Sequence, residues 1–149
     1  MNPRHNHKQC INRALQEAET LCHRQALQFT ALRRQVLKIV WESHRPQKAY
    51  DILKKISGNA KPPTVYRALN FLQTAGLAHK LNSQKTYVGC SHPLTKPHCC
   101  HFLICTKCGQ YAECCDSALT RAIRRVTDKN NFSQIQTTIE IEGVCARCT

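Results

Sequence analysis

The chain has 149 residues, carries a formal net charge of +13 and contains eleven cysteines. No apolar run approaches the roughly 20 residues that a membrane-spanning helix needs, and the N-terminus is polar rather than signal-like. The sequence therefore predicts neither membrane insertion nor secretion, and we expect a cytoplasmic protein. In that reducing compartment a high cysteine content indicates metal binding rather than disulfides.

The positive charge is concentrated in the first part of the chain. Residues 1–89 hold 15 Lys and Arg against 4 acidic residues, whereas residues 90–149 hold 7 against 5. A basic excess confined to one part of a chain is typical of a phosphate-binding surface, so it predicts a nucleic-acid-binding domain. It also predicts a domain boundary near Gly89.

The first part of the chain predicts a polar tail and three helices. Residues 1–10 are polar and lack periodicity, so we expect a frayed tail rather than a metal site. Apolar residues recur at helical spacing in residues 11–28, with Leu27 on the buried face, and again in a second helix that Thr30 can cap. A third helix is expected over residues 47–57.

The fourth helix carries the pattern expected of a DNA-reading element. Pro62 and Pro63 suit its first turn, and Gly76 can end it in the left-handed conformation. Its apolar stripe leaves Tyr66 and Arg67 on the opposite face, without a carboxylate that would repel phosphates. This face predicts a helix that enters the major groove, although an ordinary amphipathic core helix has the same stripe.

A β-hairpin is expected after this helix. Residues 77–81 and 86–88 pattern as two short strands joined by a polar turn. Helices followed by a hairpin predict a winged helix-turn-helix domain over residues 11–89, with the hairpin as the wing. Its Lys80 and Lys85 could reach DNA phosphates.

The rest of the chain predicts a hinge and a small second domain, which makes the whole an α+β protein. Residues 90–101 are rich in Pro, Cys and His and have no periodicity. Residues 102–149 pattern as two strands, a helix and a strand, and we expect the helix to bury Val126 and the last strand to bury Ile141. A core this small is marginal without a metal or a partner, and we expect both.

Two Cys-x-x-Cys pairs are the strongest chemical signal. The two-residue spacer lets both thiolates of a pair point to one side of a turn, and two pairs complete a tetrahedron around zinc. Such a closed shell has no open coordination position, so we expect a structural role; two independent redox-active or free pairs are the alternative. The four residues are Cys105, Cys108, Cys145 and Cys148.

A second set of candidate ligands spans the boundary between the two predicted domains. It contains two imidazoles, one thiolate and one carboxylate, a mixture suited to zinc. Ligands from both domains would let a metal hold one domain against the other. Each residue also has an ordinary alternative, as a surface histidine, a small buried thiol or a solvated carboxylate. The set is His79, Cys90, His98 and Glu113.

The run from Ala60 to Lys80, the segment 90–108 and the closing Cys-Ala-Arg-Cys resemble the ferric uptake regulator superfamily, and within it the zinc-responsive branch. The resemblance implies a winged-helix domain, a hinge and an α/β dimerisation domain with structural zinc. It implies about two zinc ions per chain, a homodimer and double-stranded operator DNA as the partner. It assigns structural zinc to the four cysteines and zinc sensing to the second set. The DNA-contacting positions that it implies are Tyr50, Lys61, Thr64, Tyr66 and Arg67.

The chain departs from the iron-responsive members of this superfamily. They carry a histidine three residues ahead of the first paired cysteine, where this chain has Phe102. The sensing assignment could also shift from His98 to His101 or His92. The thiols that could form a third site, or be spare, are Cys99, Cys100, Cys114 and Cys115.

The sequence thus predicts a zinc-dependent transcriptional repressor that controls zinc-uptake genes. A regulator of the same superfamily that responds to iron, manganese or thiol oxidation is the alternative. A zinc deaminase is disfavoured because the His-x-Glu companion of its Pro-Cys-x-x-Cys motif is missing. We expect no enzymatic activity, no small organic substrate and no membrane partner.

Overall fold

The computed structural model describes residues 7–43, 45–56, 58, 60–94, 100–133 and 137–149. Its contacts divide the chain into two compact units, Met1–Leu94 and Thr95–Thr149. The division falls inside the segment predicted as the hinge, residues 90–101. None of the described helices is long and apolar enough to cross a bilayer.

The N-terminal unit combines helices with a three-stranded antiparallel sheet. Its described elements are α1 (His7–Arg24), α2 (Ala31–Glu42), β1 (Gln47–Lys48), α3 (Ala49–Lys55), α4 (Pro62–Thr74), β2 (Ala78–Leu81) and β3 (Thr86–Gly89). Strand β3 lies between β1 and β2 and is antiparallel to both. Helices followed by the β2–β3 hairpin form the winged-helix architecture that the sequence predicts.

The apolar stripes of the four helices meet in one core. Each helix contributes side chains that are almost completely buried, and burial of one such side chain contributes roughly 1.5–3 kcal/mol. The stripes predicted for α2 and α4 both lie in this core. One core residue from each helix, in chain order, is Leu21, Val36, Ile52 and Leu69.

Helix α1 begins and ends earlier than the sequence predicts. It starts at His7, inside the predicted tail, and the ring Nε2 of His7 donates to the carbonyl oxygen of Glu42 at 3.0 Å. It ends at Arg24 because Ala26 adopts a left-handed φ of 52° and Leu27 N–H returns to the carbonyl of Cys22 at 2.8 Å. Leu27 is therefore 37% exposed, and its predicted place on a buried helical face was wrong.

The third helix is also shorter than predicted. Gln47 and Lys48 form strand β1, which pairs with Tyr87 and Thr86 of β3, and α3 starts only at Ala49. The partner strand lies about 40 residues later in the chain. A local periodicity could not reveal this pairing.

Helix α4 ends as predicted. Gly76 has a φ of 72°, which is the left-handed conformation that glycine adopts without steric cost. Gly76 N–H donates to the carbonyl of Gln73 at 2.9 Å, and Leu77 N–H donates to the carbonyl of Leu72 at 2.8 Å. These are the paired bonds of a Schellman cap, and they turn the chain directly into β2.

Gly89 closes β3 opposite Ala78 and lies against the indole ring of Trp41. A Cβ at this position would overlap the ring, so the ring or the strand must shift. We expect Gly89→Ala to lower the free energy of unfolding by about 1–3 kcal/mol in urea denaturation. Gly143→Ala is the control, since a Cβ there meets no atom within 4 Å. Equal stabilities of the two variants would contradict this packing.

The C-terminal unit is a three-stranded mixed sheet with one described helix. Its elements are β4 (Cys100–Cys105), β5 (Tyr111–Cys114), α5 (Ser117–Lys129) and β6 (Thr138–Gly143). Strand β4 is central, antiparallel to β5 and parallel to β6. Asp116 caps α5 by accepting a hydrogen bond from Leu119 N–H at 2.7 Å. Strand β4 begins two residues earlier than predicted, and residues 134–136 of the last predicted strand lie outside the described residues.

The apolar stripe of α5 is not buried, which contradicts the sequence prediction. Helix α5 contains no buried residue, and Val126 is 60% exposed. Ile141 of β6, also predicted to be buried, is 48% exposed, and its neighbour Leu103 of β4 is 47% exposed. A unit of this size has too few other side chains to cover these positions.

Candidate metal centres and DNA-binding face

The two Cys-x-x-Cys pairs meet at one end of the C-terminal sheet. Cys105 is the last residue of β4, and Cys145 follows β6, which runs parallel beside it. Ligand atoms from all four cysteines lie within 4.8 Å of one another. Cys108 Sγ and Cys145 Sγ are 3.8 Å apart, which matches the roughly 3.8 Å between two ligands of a tetrahedral zinc with Zn–S bonds of about 2.3 Å. The residues present therefore fit a four-thiolate zinc site.

Hydrogen bonds set unequal proton affinities within this four-cysteine cluster. The backbone N–H of Cys145, 3.4 Å from Cys105 Sγ, is the largest of several hydrogen bonds that lower the pKa of Cys105 to about 6. Hydrogen bonds with the thiols of Cys145 and Cys108 raise the pKa of Cys148 to about 12. The Cys105 thiol therefore gives up its proton more readily than the Cys148 thiol. A metal that binds this cluster would release protons, so its binding would strengthen as the pH rises.

Two of the predicted sensing residues lie together on the N-terminal hairpin. His79 stands opposite Val88, and Cys90 continues β3 opposite Leu77, to whose carbonyl its N–H donates at 3.0 Å. His79 and Cys90 are therefore diagonal neighbours on one face of the hairpin. An imidazole nitrogen of His79 and Cys90 Sγ lie within 4.8 Å, and both residues are buried.

A third predicted sensing residue, Glu113, lies on β5 opposite Phe102 of β4. One further step of the same register places Cys115 opposite Cys100. Cys100 is thus a diagonal neighbour of Glu113 on the same face, and its Sγ lies within 4.8 Å of a Glu113 carboxylate oxygen. Sequence reasoning left Cys100 among the spare thiols, because only the strand register brings it beside this carboxylate.

The face that carries Glu113 concentrates acidic groups. Desolvation, together with the neighbouring charges of Cys100 and Glu113, raises the pKa of Cys115 to about 11. Two thiols and a carboxylate therefore converge at this end of the β4–β5 pair. A divalent cation would relieve the mutual repulsion of their charged forms.

The remaining histidine candidates do not share this face. His98 and Cys99 lie outside the described residues. His101 stands opposite Cys114, so its side chain projects from the other face of β4, away from Glu113. His92 is exposed on the N-terminal unit.

The predicted DNA-contacting residues form an exposed set on the N-terminal unit. Tyr66, on α4, is 55% exposed despite its large aromatic ring. Lys61 is the N-cap residue at the start of α4 and makes no side-chain capping bond. The exposed residues are Tyr50, Lys61, Thr64, Tyr66 and Arg67.

Tyr50 lies on α3 and is 63% exposed. The ammonium group of Lys54, one turn further along α3, lies 4.3 Å from the centre of its ring. This cation–π contact holds a positive charge beside an exposed aromatic ring. Helical periodicity does not identify Tyr50 as a DNA-contacting residue, because periodicity indicates only that this aromatic side chain is exposed.

A winged-helix unit followed by a small sheet with clustered thiols defines the class of metal-responsive transcription regulators. The chain belongs to the ferric uptake regulator family, whose sequence profile matches residues 24–142. This family was the one that the sequence motifs resembled.

The chain is similar to zinc uptake regulators over most of its length. It is 35% identical over 138 residues to the zinc uptake regulation protein of Escherichia coli (strain K12), an alignment that covers 90% of this chain and 80% of the relative. It is 32% identical over 105 residues to the protein of the same name from Mycobacterium tuberculosis (strain CDC 1551 / Oshkosh), covering 68% and 77%. A zinc uptake regulator solved in complex with zinc and DNA superposes with a TM-score of 0.85 at 33% identity, covering 93% of this chain and 94% of that one.

Proposed function

We propose that this protein is a zinc-responsive transcriptional repressor, a cytoplasmic homodimer that binds operator DNA of zinc-uptake genes when zinc occupies a sensing site. The observation that carries this proposal is the continuity of α4 with β2. The exposed Tyr66 and Arg67 face leads through Gly76 into the strand that holds His79 beside Cys90. A metal bound by this pair would act on the same short segment that contacts DNA.

The proposed protein holds about two zinc ions per chain. One is structural and closes the end of the C-terminal sheet; its ligands are Cys105, Cys108, Cys145 and Cys148. The other is the sensing zinc, which would take ligands from both units of the chain. The sensing ligands are His79, Cys90, His98 and Glu113.

The proposed mechanism is a shift in population. Without sensing zinc, the two winged domains of a dimer would sample many orientations. Zinc that bridges both units of each chain would select the spacing that matches two half-sites about one helical turn apart. Linkage then requires that operator DNA tighten zinc binding by the same factor that zinc tightens DNA binding.

The exposed apolar side chains of the C-terminal unit support the homodimer. Leu103 and Ile141 are paired neighbours on β4 and β6, and both are about half exposed. Within the described residues, β6 pairs with β4 alone, so its other edge is open. A second copy that packs on this face and extends the sheet would cover the side chains and the open edge together.

We expect Ile141→Lys to weaken dimerisation by at least about tenfold, because it places a charge in the centre of the proposed interface. Sedimentation equilibrium across a range of protein concentrations measures this dissociation constant. Glu142→Lys is the matched control, since it introduces the same side chain one residue later, on the opposite face of the strand. A tight dimer for Ile141→Lys would show that this surface is not the interface.

The experiment that tests the proposed function is an anisotropy titration of a zinc-importer promoter fragment across buffered free zinc. Manganese and ferrous iron are titrated in parallel. We expect tight binding that appears as free zinc rises through very low concentrations. A response to manganese or ferrous iron instead would make the protein a regulator for another metal. Binding that ignores every metal would refute metal sensing and favour regulation by thiol oxidation.

Arg67→Ala should cost about 1–3 kcal/mol in operator binding, because we expect its guanidinium group to contact a base edge. Anisotropy with the operator and with an unrelated duplex measures the loss for each. Lys61→Ala is the comparison variant, since a phosphate contact should weaken binding to both duplexes equally. An equal loss on both duplexes for Arg67→Ala would show that it contacts phosphate.

A further inference from the structure

Within the described residues, each unit has a diagonal pair of side chains on two antiparallel strands that could ligate a metal. In the N-terminal unit the pair is His79 and Cys90; in the C-terminal unit it is Cys100 and Glu113. In both cases the ligand atoms lie within 4.8 Å of each other. In each pair, one residue lies two positions along its strand from the residue that is directly opposite its partner.

We propose that Cys100 supplies a second thiolate, in addition to that of Cys90, to the sensing zinc. This inference rests on the proposed function, because it takes His79, Cys90 and Glu113 as ligands of that zinc. A zinc bound to the Glu113 carboxylate on the side that faces Cys100 would lie within reach of Cys100 Sγ. Two ligands of one tetrahedral zinc, a sulfur and an oxygen, are about 3.5 Å apart, so a small side-chain adjustment suffices.

The alternative is that Cys100 only fills space in the sheet. Cys100, Phe102 and Ile104 lie on the same face of β4, and all three are 2% exposed or less. Packing alone does not explain why the carboxylate of Glu113 and the thiol of Cys115 lie against the same face. The charged forms of these groups repel one another, and a shared cation compensates that repulsion directly.

A second thiolate would change what the site selects. Thiolates favour zinc, whereas manganese and magnesium prefer oxygen ligands. If Cys100 takes the position proposed for His98, the donor set has two thiolates, an imidazole and a carboxylate. Such a set would discriminate more strongly against manganese than a set with one thiolate. It would also lower the free zinc concentration at which the site fills.

Cobalt substitution counts thiolates directly in the full chain. The four-cysteine cluster is kept loaded with zinc, which has a filled d shell and is spectroscopically silent, and Co²⁺ is added to the sensing site. We expect Cys100→Ser and Cys90→Ser each to remove about half of the thiolate-to-cobalt charge-transfer absorption. Cys114→Ser is the matched control, because Cys114 lies on the other face of the same strand pair, and it should change nothing.

Zinc competition with a chromophoric chelator gives an independent readout. Cys100→Ser should raise the free zinc needed for half-occupancy of the sensing site by at least about tenfold. Cys100→Ala provides a second variant that removes the ligand without adding a hydroxyl group, and circular dichroism checks that both variants are folded.

The outcomes separate this inference from the proposed function. If both Cys100 variants keep the full absorption and affinity while Cys90→Ser loses nearly all of the absorption, Cys100 is not a ligand and the sensing site stands. If Cys90→Ser also keeps the full absorption, the proposed sensing site is wrong and the assignment of Cys100 falls with it.

Discussion

Cys105→Ser should lose about one zinc ion per chain and unfold the C-terminal unit. Cys105 ends β4 and Cys145 follows β6, so a zinc held by both would fasten the two strands where they end together. Structural zinc sites contribute apparent binding free energies of about 10–16 kcal/mol to folding. Zinc analysis, circular dichroism and limited proteolysis together measure the loss.

Beyond the pairing of β4 with β6, this variant would keep hydrogen bonds that join the two strand ends near the cluster. Lys107 donates to the carbonyl of Cys148 at 2.9 Å, and Thr106 N–H donates to the carbonyl of Gly143 at 2.9 Å. Two such hydrogen bonds contribute only about 0.5–1.5 kcal/mol each. Cys114→Ser is the control, since Cys114 is exposed and outside the four-cysteine cluster. A stable, dimeric Cys105→Ser protein would refute the structural role.

His79→Ala and Cys90→Ser should each abolish zinc-dependent operator binding and leave a folded dimer. Both variants lose a ligand of the proposed sensing zinc but keep the four-cysteine cluster. At zinc concentrations that saturate the wild type, we expect operator affinity to fall about a thousandfold, towards non-specific binding. Anisotropy at fixed free zinc measures the affinity, and sedimentation measures the dimer.

His23→Ala is the matched control, because His23 is an exposed histidine in the last turn of α1. It should bind operator DNA as the wild type does. Loss of the dimer in His79→Ala or Cys90→Ser would mean that sensing and structure share one site, contrary to the proposed division of roles. Unchanged zinc response in both variants would exclude this pair from the sensing site.

The helices of the N-terminal unit were largely predictable because their signals are local. The stripe of α4, its two prolines and its terminal glycine all lie within 15 residues of sequence. The structure agrees on both ends of this helix, at Pro62 and at Gly76. The helix predicted to start at Gln47 starts later because Gln47 pairs with a distant strand. The helix predicted to include Leu27 ends earlier because Ala26, which is not a glycine, adopts the left-handed conformation.

The predicted burial of α5 failed for a different reason. Its apolar stripe is real, but a stripe shows only that one face avoids water. It does not show whether the covering surface belongs to the same chain or to another. The exposure of Val126 and Ile141 is what favours a second copy.

The sequence by itself determined the fold class, because short spacers and helical periods are properties of neighbouring residues. The resemblance of its motifs gave the family, and the two Cys-x-x-Cys motifs predicted one shared metal site. Only the tertiary structure decided which thiol lies beside Glu113. That choice depends on the register between β4 and β5, and side chains alternate faces along a strand, so a shift of one residue would have turned Cys100 away. Likewise, strand β1 and the exposed face of α5 exist only as relations between distant parts of the chain, which no local pattern encodes.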